Sequence, residues 1–121
     1  MKGRVLIVDD SPAMLVSLRQ TLVAAGCEEG RIVAASGGTE AKRLLKAEGP
    51  FEAVFCDWNM PDLDGLELMR WLRSEIGDAA TPFYVITAED KDEQLALLLR
   101  SGATGYLCKP IHAGDIGALL N

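Results

Sequence analysis

Short apolar runs alternate along the chain with longer stretches of helical periodicity, and four of the runs end on a residue with polar chemistry. Val5-Leu6-Ile7-Val8 leads to Asp9 and Asp10, Ala53-Val54-Phe55-Cys56 to Asp57, Phe83-Tyr84-Val85-Ile86 to Thr87, and Gly105-Tyr106-Leu107-Cys108 to Lys109. Runs of this length between helical patterns read as strands buried on both faces, the signature of a parallel sheet. The first strand is expected over about 4–8 and a short second one over 31–34, followed by Gly37-Gly38-Thr39. Ser11 is an expected N-cap with Pro12 at the first helical position. Leu15, Leu18 and Leu22 then recur at helical spacing up to a stop at Gly26. A second helix carries Ala41, Leu44 and Leu45 inward and ends at Gly49-Pro50; a third, capped by Asp64, presents Leu68, Met69 and Leu72. A fourth helix is expected over about 92–101 and a fifth over about 115–121, with Ile116, Leu119 and Leu120 as its apolar face.

Five such strand-helix units predict an α/β fold: a five-stranded parallel sheet, doubly wound, with helices on both faces. With the flavodoxin-like order 2-1-3-4-5, strands one and three are neighbours at the point where the winding reverses, which is where open sheets of this type bind ligands. Asp9, Asp10 and Asp57 then meet at one edge, joined by Thr87 and Lys109.

Composition narrows the setting. The 121 residues suit a single domain, expected to span 1–121, and no linker or low-complexity stretch divides them. A net charge of −6 argues against a nucleic-acid-binding surface, and no run reaches the length of a membrane span. Met1-Lys2-Gly3-Arg4 leads straight into the first strand without room for a signal peptide. Cys27, Cys56 and Cys108 lack metal-type spacing, and two of them end apolar runs, so they read as buried reduced thiols in a cytoplasmic protein.

Three carboxylates held together repel one another unless a cation intervenes. Mg²⁺ takes oxygen ligands and is commonly held by one or two carboxylates plus a phosphate oxygen. Phosphoryl transfer asks a protein for positioning and charge neutralisation. Asp57 is then placed as a nucleophile forming an acyl phosphate, with Lys109 and the Thr87 hydroxyl on the phosphoryl oxygens and the backbone carbonyl of Asn59 completing the metal shell.

Val8-Asp9-Asp10, Asp57 with Met60-Pro61-Asp62-Leu63-Asp64-Gly65, Thr87-Ala88 and Lys109-Pro110 resemble the receiver domain of two-component response regulators, over essentially the whole chain. Asp57-Trp58-Asn59-Met60-Pro61 is most similar to the single-domain chemotaxis members of that family. The resemblance implies a phosphoprotein in signal transduction, not an enzyme acting on a separate substrate. A sensor histidine kinase or phosphotransfer protein would donate its phosphoryl group to Asp57. Mg²⁺ would sit on Asp9, Asp10, Asp57 and the Asn59 carbonyl; Lys109 and Thr87 would contact the phosphoryl group, and the Lys109-Pro110 bond would be cis. Thr87 and Tyr106 would form the switch that alters the surface of helix four, strand five and helix five, read by a downstream protein, an output domain or a second copy. Asn59 and Glu89 occupy the positions that tune phosphoryl lifetime, and their chemotaxis-like identity implies fast dephosphorylation.

Other residues have plainer readings. Asp62 is expected as a loop residue and His112 as an exposed bystander. Leu97, Leu98 and Leu99 fan across about 200° of helix surface, too wide for one core-facing stripe. They point to a deeply packed fourth helix, with an alternative in which Leu95 or Leu99 joins Tyr106 in an exposed partner patch. Two rival classes fit less well. A haloacid-dehalogenase-type phosphatase would want a second Asp two residues after its nucleophile, and a flavodoxin-like cofactor binder a hydroxyl-rich loop where Ser11-Pro12-Ala13-Met14 stands. The short last helix points to a domain that continues past Asn121 into a longer regulator; a free-standing regulator is the alternative.

Overall fold

A computed structural model of the chain describes residues 3–88 and 92–120. Its strands are β1 (Val5–Val8), β2 (Ile32–Ala35), β3 (Ala53–Asp57), β4 (Phe83–Thr87) and β5 (Gly105–Cys108). Its helices are α1 (Pro12–Ala24), α2 (Gly38–Glu48), α3 (Gly65–Ser74), α4 (Asp92–Arg100) and α5 (Ala113–Leu120). The sheet is parallel throughout, in the order β2-β1-β3-β4-β5. This is the doubly wound architecture expected from the alternation of strand and helix patterns.

Every residue of β1, β3 and β4 is buried, which explains why those strands read as unbroken apolar runs: each faces helices on both sides. Alternate residues feed two separate cores. Leu6, Val8, Val54, Cys56, Phe83 and Val85 pack with α2, α3 and α4, whereas Val5, Ile7, Phe55, Tyr84, Ile86 and Leu107 pack with α1 and α5. Phe55 and Tyr84 stack at 5.3 Å within the second core.

The largest shift from the expected boundaries is at α5. It begins at Ala113 rather than near Asp115, because Asp115 accepts the backbone N–H of His112 at 3.0 Å and closes the first turn from within. The strand β2 starts one residue later than expected, since Arg31 belongs to a 3₁₀ turn, Glu29–Arg31, stitched by its N–H to the Glu28 carbonyl at 3.0 Å. Cys27 and Cys56 are buried free thiols, as expected, but Cys108 is only partly buried because β5 is an edge strand. His112 is exposed.

The fourth helix divides its leucines. Leu95 and Leu98 lie in the core at 6% and 0% exposure, Leu97 packs partly against it, and Leu99 is 48% exposed. Leu95 is therefore a core residue, and Leu99 alone of the four stands clear. The C-terminal end of α4 is tied to α3: Arg73 donates to the Gly102 carbonyl at 3.1 Å and Arg70 to the Ser101 hydroxyl at 3.3 Å, while a second Arg73 nitrogen holds the loop after α3 through the Asp78 carbonyl at 3.0 Å.

Candidate functional site

Helix N-termini and strand ends build the site. At the end of β1, Asp9 turns its Oδ1 onto the backbone N–H of Ser11 at 2.9 Å, and Ser11 in turn caps α1 by accepting from the Met14 N–H at 3.3 Å. This leaves Asp9 2% exposed beside an exposed Asp10. At the end of β3, Asp57 is 6% exposed. The carboxylates of Asp9, Asp10 and Asp57 each offer an oxygen within 4.8 Å of the others. Lys109, one residue past β5, places Nζ 3.2 Å from the Asp57 Oδ1. Its backbone N–H extends the ladder to the Thr87 carbonyl at 2.9 Å, so Thr87 and Lys109 are held side by side. The Lys109-Pro110 bond is cis, as the resemblance implies.

The electrostatics are strained in one direction. Burial holds the Asp9 carboxyl above the ordinary value of 3.8, with the Ser11 N–H pulling the other way and repulsion from Asp57 adding to the rise. Burial also raises Asp57, against the attraction of Lys109. Three carboxylates facing one ammonium leave a surplus of two negative charges. Oxygen donors at this spacing, two of them desolvated, fit a small hard dication and would suit a thiolate-seeking metal poorly. The neighbouring Cys56 donates weakly from Sγ to the Asp57 carbonyl at 3.2 Å, and its complete burial pushes the thiol well above its ordinary range, so it stays a protonated core residue.

The loop after β3 is fixed at both ends. The Trp58 N–H bonds to the Ile86 carbonyl and the Gly65 N–H to the Trp58 carbonyl, each at 2.9 Å. A Cβ on Gly65 would stand 2.7 Å from the Asp57 carbonyl oxygen, so only glycine lets α3 start this close to the strand end. Asp64 caps α3 through the Glu67 N–H at 2.8 Å, as its position before Gly65 predicts. Asp62 does more than a loop residue is expected to do. It accepts from the Gly38 and Thr39 N–H groups at 3.3 and 3.0 Å, capping α2 from 24 residues away, and those bonds hold its carboxyl below the ordinary value. The cap residue of α2, Gly37, has no side chain to do this itself. No local signal marks Asp62 for that role; only the packing of two loops does.

Thr87 is buried at 3% and, by alternation with Ile86, points to the α4 side of the sheet. Tyr106, opposite Val85 in the register, lies on that side too and is 37% exposed. Asn59 is exposed two residues beyond Asp57. Glu89 lies outside the described residues. Two cavities flank the site. A polar one of about 270 Å³ is lined by Trp58, Asn59, Thr87 and Gln94; an apolar one of about 420 Å³ lies between Met14, Leu18 and Thr21 of α1 and Lys109-Pro110-Ile111. Gln94 carries no sequence signal for the site, since its access depends on how α4 lies on the sheet.

A parallel five-stranded sheet with a carboxylate triad and a lysine at the winding reversal defines a doubly wound α/β domain with an oxygen-rich candidate metal site where open sheets bind ligands. Residues 5–121 match the family model of the response regulator receiver domain, and the chain belongs to that family. It is 33% identical to the chemotaxis protein CheY1 of Helicobacter pylori over 107 residues, covering 88% of this chain and 85% of that one. The CheY homolog of Campylobacter jejuni is 32% identical over 107 residues, covering 88% and 81%. Among solved structures, Vibrio cholerae CheY4 superposes with a TM-score of 0.82 at 31% identity, covering 99% of this chain and 97% of that one. The receiver domain of a Francisella response regulator gives 0.85 at 28%, covering 99% and 94%.

Proposed function

We propose that residues 1–121 act as one phosphoacceptor domain, which takes a phosphoryl group from a partner histidine kinase or phosphotransfer protein onto Asp57. The observation that carries this reading is the Lys109 ammonium 3.2 Å from a buried Asp57 that also faces Asp9 and Asp10. An Asp57 oxygen attacks phosphorus in line, the bond to the donor ring nitrogen breaks, and the ring, protonated on its second nitrogen, leaves as neutral imidazole. Lys109 offsets charge on the phosphoryl oxygens. Asp9, Asp10, Asp57 and the Asn59 carbonyl would hold Mg²⁺, which supplies further neutralisation of phosphate charge when bound. The Thr87 hydroxyl donates to the phosphoryl group, and Tyr106 turns inward from its half-exposed position, changing the face formed by α4, β5 and α5. That face is read by a downstream protein, an attached output domain or a second copy, in the cytoplasm. Asn59 and Glu89 set a short phosphoryl lifetime.

The test is labelling with a small-molecule phosphodonor in Mg²⁺, read by acid-stable, base-labile phosphate and by Trp58 fluorescence. Asp57→Asn is expected to lose both while keeping the fold. A base-labile phosphate on that variant would assign the nucleophile elsewhere.

A further inference from the structure

Beside Asp57 the polar cavity of about 270 Å³ brings together two carboxamides from separate elements: Asn59 from the loop after β3, and Gln94 from the first half of α4. Thr87 and Trp58 complete the lining among the described residues. The cavity has room for several waters at about 30 Å³ each, and its walls offer the polar partners that an ordered water needs. Trp58 and Asn59 follow Asp57 directly in the chain and Thr87 is one residue past its register partner, so the cavity opens at the strand ends that carry the phosphoacceptor. A carboxamide presents one acceptor and two donors and does not titrate near neutrality; it can orient a water without taking its proton.

Resting on the reading that Asp57 carries a phosphoryl group, we propose that Gln94 is a positioning residue for dephosphorylation, holding the attacking water jointly with Asn59. The water oxygen bonds to phosphorus as the bond from phosphorus to the Asp57 oxygen breaks. The electron pair of that bond returns to the carboxylate, and a water proton passes to a phosphate oxygen, releasing inorganic phosphate. Gln94 orients the nucleophile and exchanges no proton. Because α4 carries Gln94, the lifetime of the phosphoryl group depends on how α4 lies on the sheet.

The test compares Gln94→Met, similar in length and without hydrogen bonds, with Gln94→Asn, which keeps the carboxamide. After labelling and removal of the phosphodonor, Gln94→Met is expected to lose phosphate about two- to tenfold more slowly, the rate equivalent of one neutral hydrogen bond. Gln94→Asn is expected to stay within about twofold of the wild type. The slowing is expected to be the same from pH 6 to pH 9, since a carboxamide does not titrate there. Combining Gln94→Met with Asn59→Ala is expected to slow decay no further than the stronger single change, as when two groups hold one water. Beryllofluoride affinity, read by Trp58 fluorescence, is expected to be unchanged. High-resolution crystal structures without phosphodonor are expected to show a water between the two carboxamides that Gln94→Met loses.

An unchanged decay in Gln94→Met, multiplicative slowing in the double variant, or slowing matched by weakened beryllofluoride binding overturns the assignment. A wild type that takes no base-labile label overturns the phosphoacceptor reading as well; a labelled wild type with a null Gln94→Met overturns the Gln94 assignment alone.

Discussion

Replacing Asp9 by Asn is expected to stabilise the metal-free protein and to remove most of its response to Mg²⁺. The Asn side chain keeps an oxygen for the Ser11 N–H that Asp9 holds at 2.9 Å, so the start of α1 is preserved. What disappears is a buried negative charge within 4.8 Å of two others. At an effective dielectric of about 20, each such pair repels by about 3 kcal/mol. Attraction to Lys109 and the exposure of Asp10 to water offset part of this, leaving an expected gain of about 1–3 kcal/mol, or about 3–10 °C in Tm for a domain of this size. The pH dependence supplies a second check. Burial raises the folded-state pKa of Asp9 and Asp57 above the unfolded value of 3.8, so ionising them costs stability. That cost is absent below pH 3.8, grows as pH rises through the folded-state values, and is complete above them. In EDTA, the advantage of Asp9→Asn is therefore expected to be small at pH 4 and full at pH 7. Mg²⁺ at ten times its Kd adds about 1.4 kcal/mol to the wild type by mass action and reverses much of the difference. Urea or thermal unfolding with EDTA and with Mg²⁺ measures both arms. An Asp9→Asn variant less stable than the wild type in EDTA at pH 7, or equally stabilised by Mg²⁺, refutes the account of three carboxylates in conflict.

Further outcomes follow from the packing. Asp62→Ala uncaps α2 and is expected to cost about 0.5–1 kcal/mol in urea unfolding at pH 7. Because those bonds hold the carboxyl below 3.8, its contribution is present above that pH and fades as pH falls through the lower folded value. Leu98→Ala, at a fully buried position, is expected to cost about 2–5 kcal/mol, whereas Leu99→Ala stays within about 0.5 kcal/mol of the wild type by the same assay. Gly65→Ala drives a methyl against the Asp57 carbonyl; a cost of about 1–3 kcal/mol and weaker Mg²⁺ binding in a Trp58 fluorescence titration are expected.

Most of the sheet was legible because its polar residues sit at the ends of strands whose apolar runs leave few registers open. Asp9, Asp10, Asp57 and Lys109 meet for that reason alone: a parallel ladder sends every strand end to one edge. The caps Ser11 and Asp64 were legible too, since capping is decided within four residues. What escaped is what depends on one element lying against another. Asp62 looks like any loop aspartate until α2 packs beside it. Leu95 and Leu99 are the same residue type four positions apart, and only the roll of α4 on the sheet buries one and exposes the other. Gln94 was invisible for the same reason.

The two cores on opposite faces of the sheet have a consequence for traffic at the site. Thr87 and Tyr106 alternate onto the α4 face, while α1 and the apolar cavity beside Lys109 belong to the other. The proposed readout face of α4, β5 and α5 wraps around the β5 edge and so draws on both cores, α4 from one and α5 from the other. A donor docked beside α1 and a listener docked on that face would then meet at α5, so departure of the one would clear ground for the other.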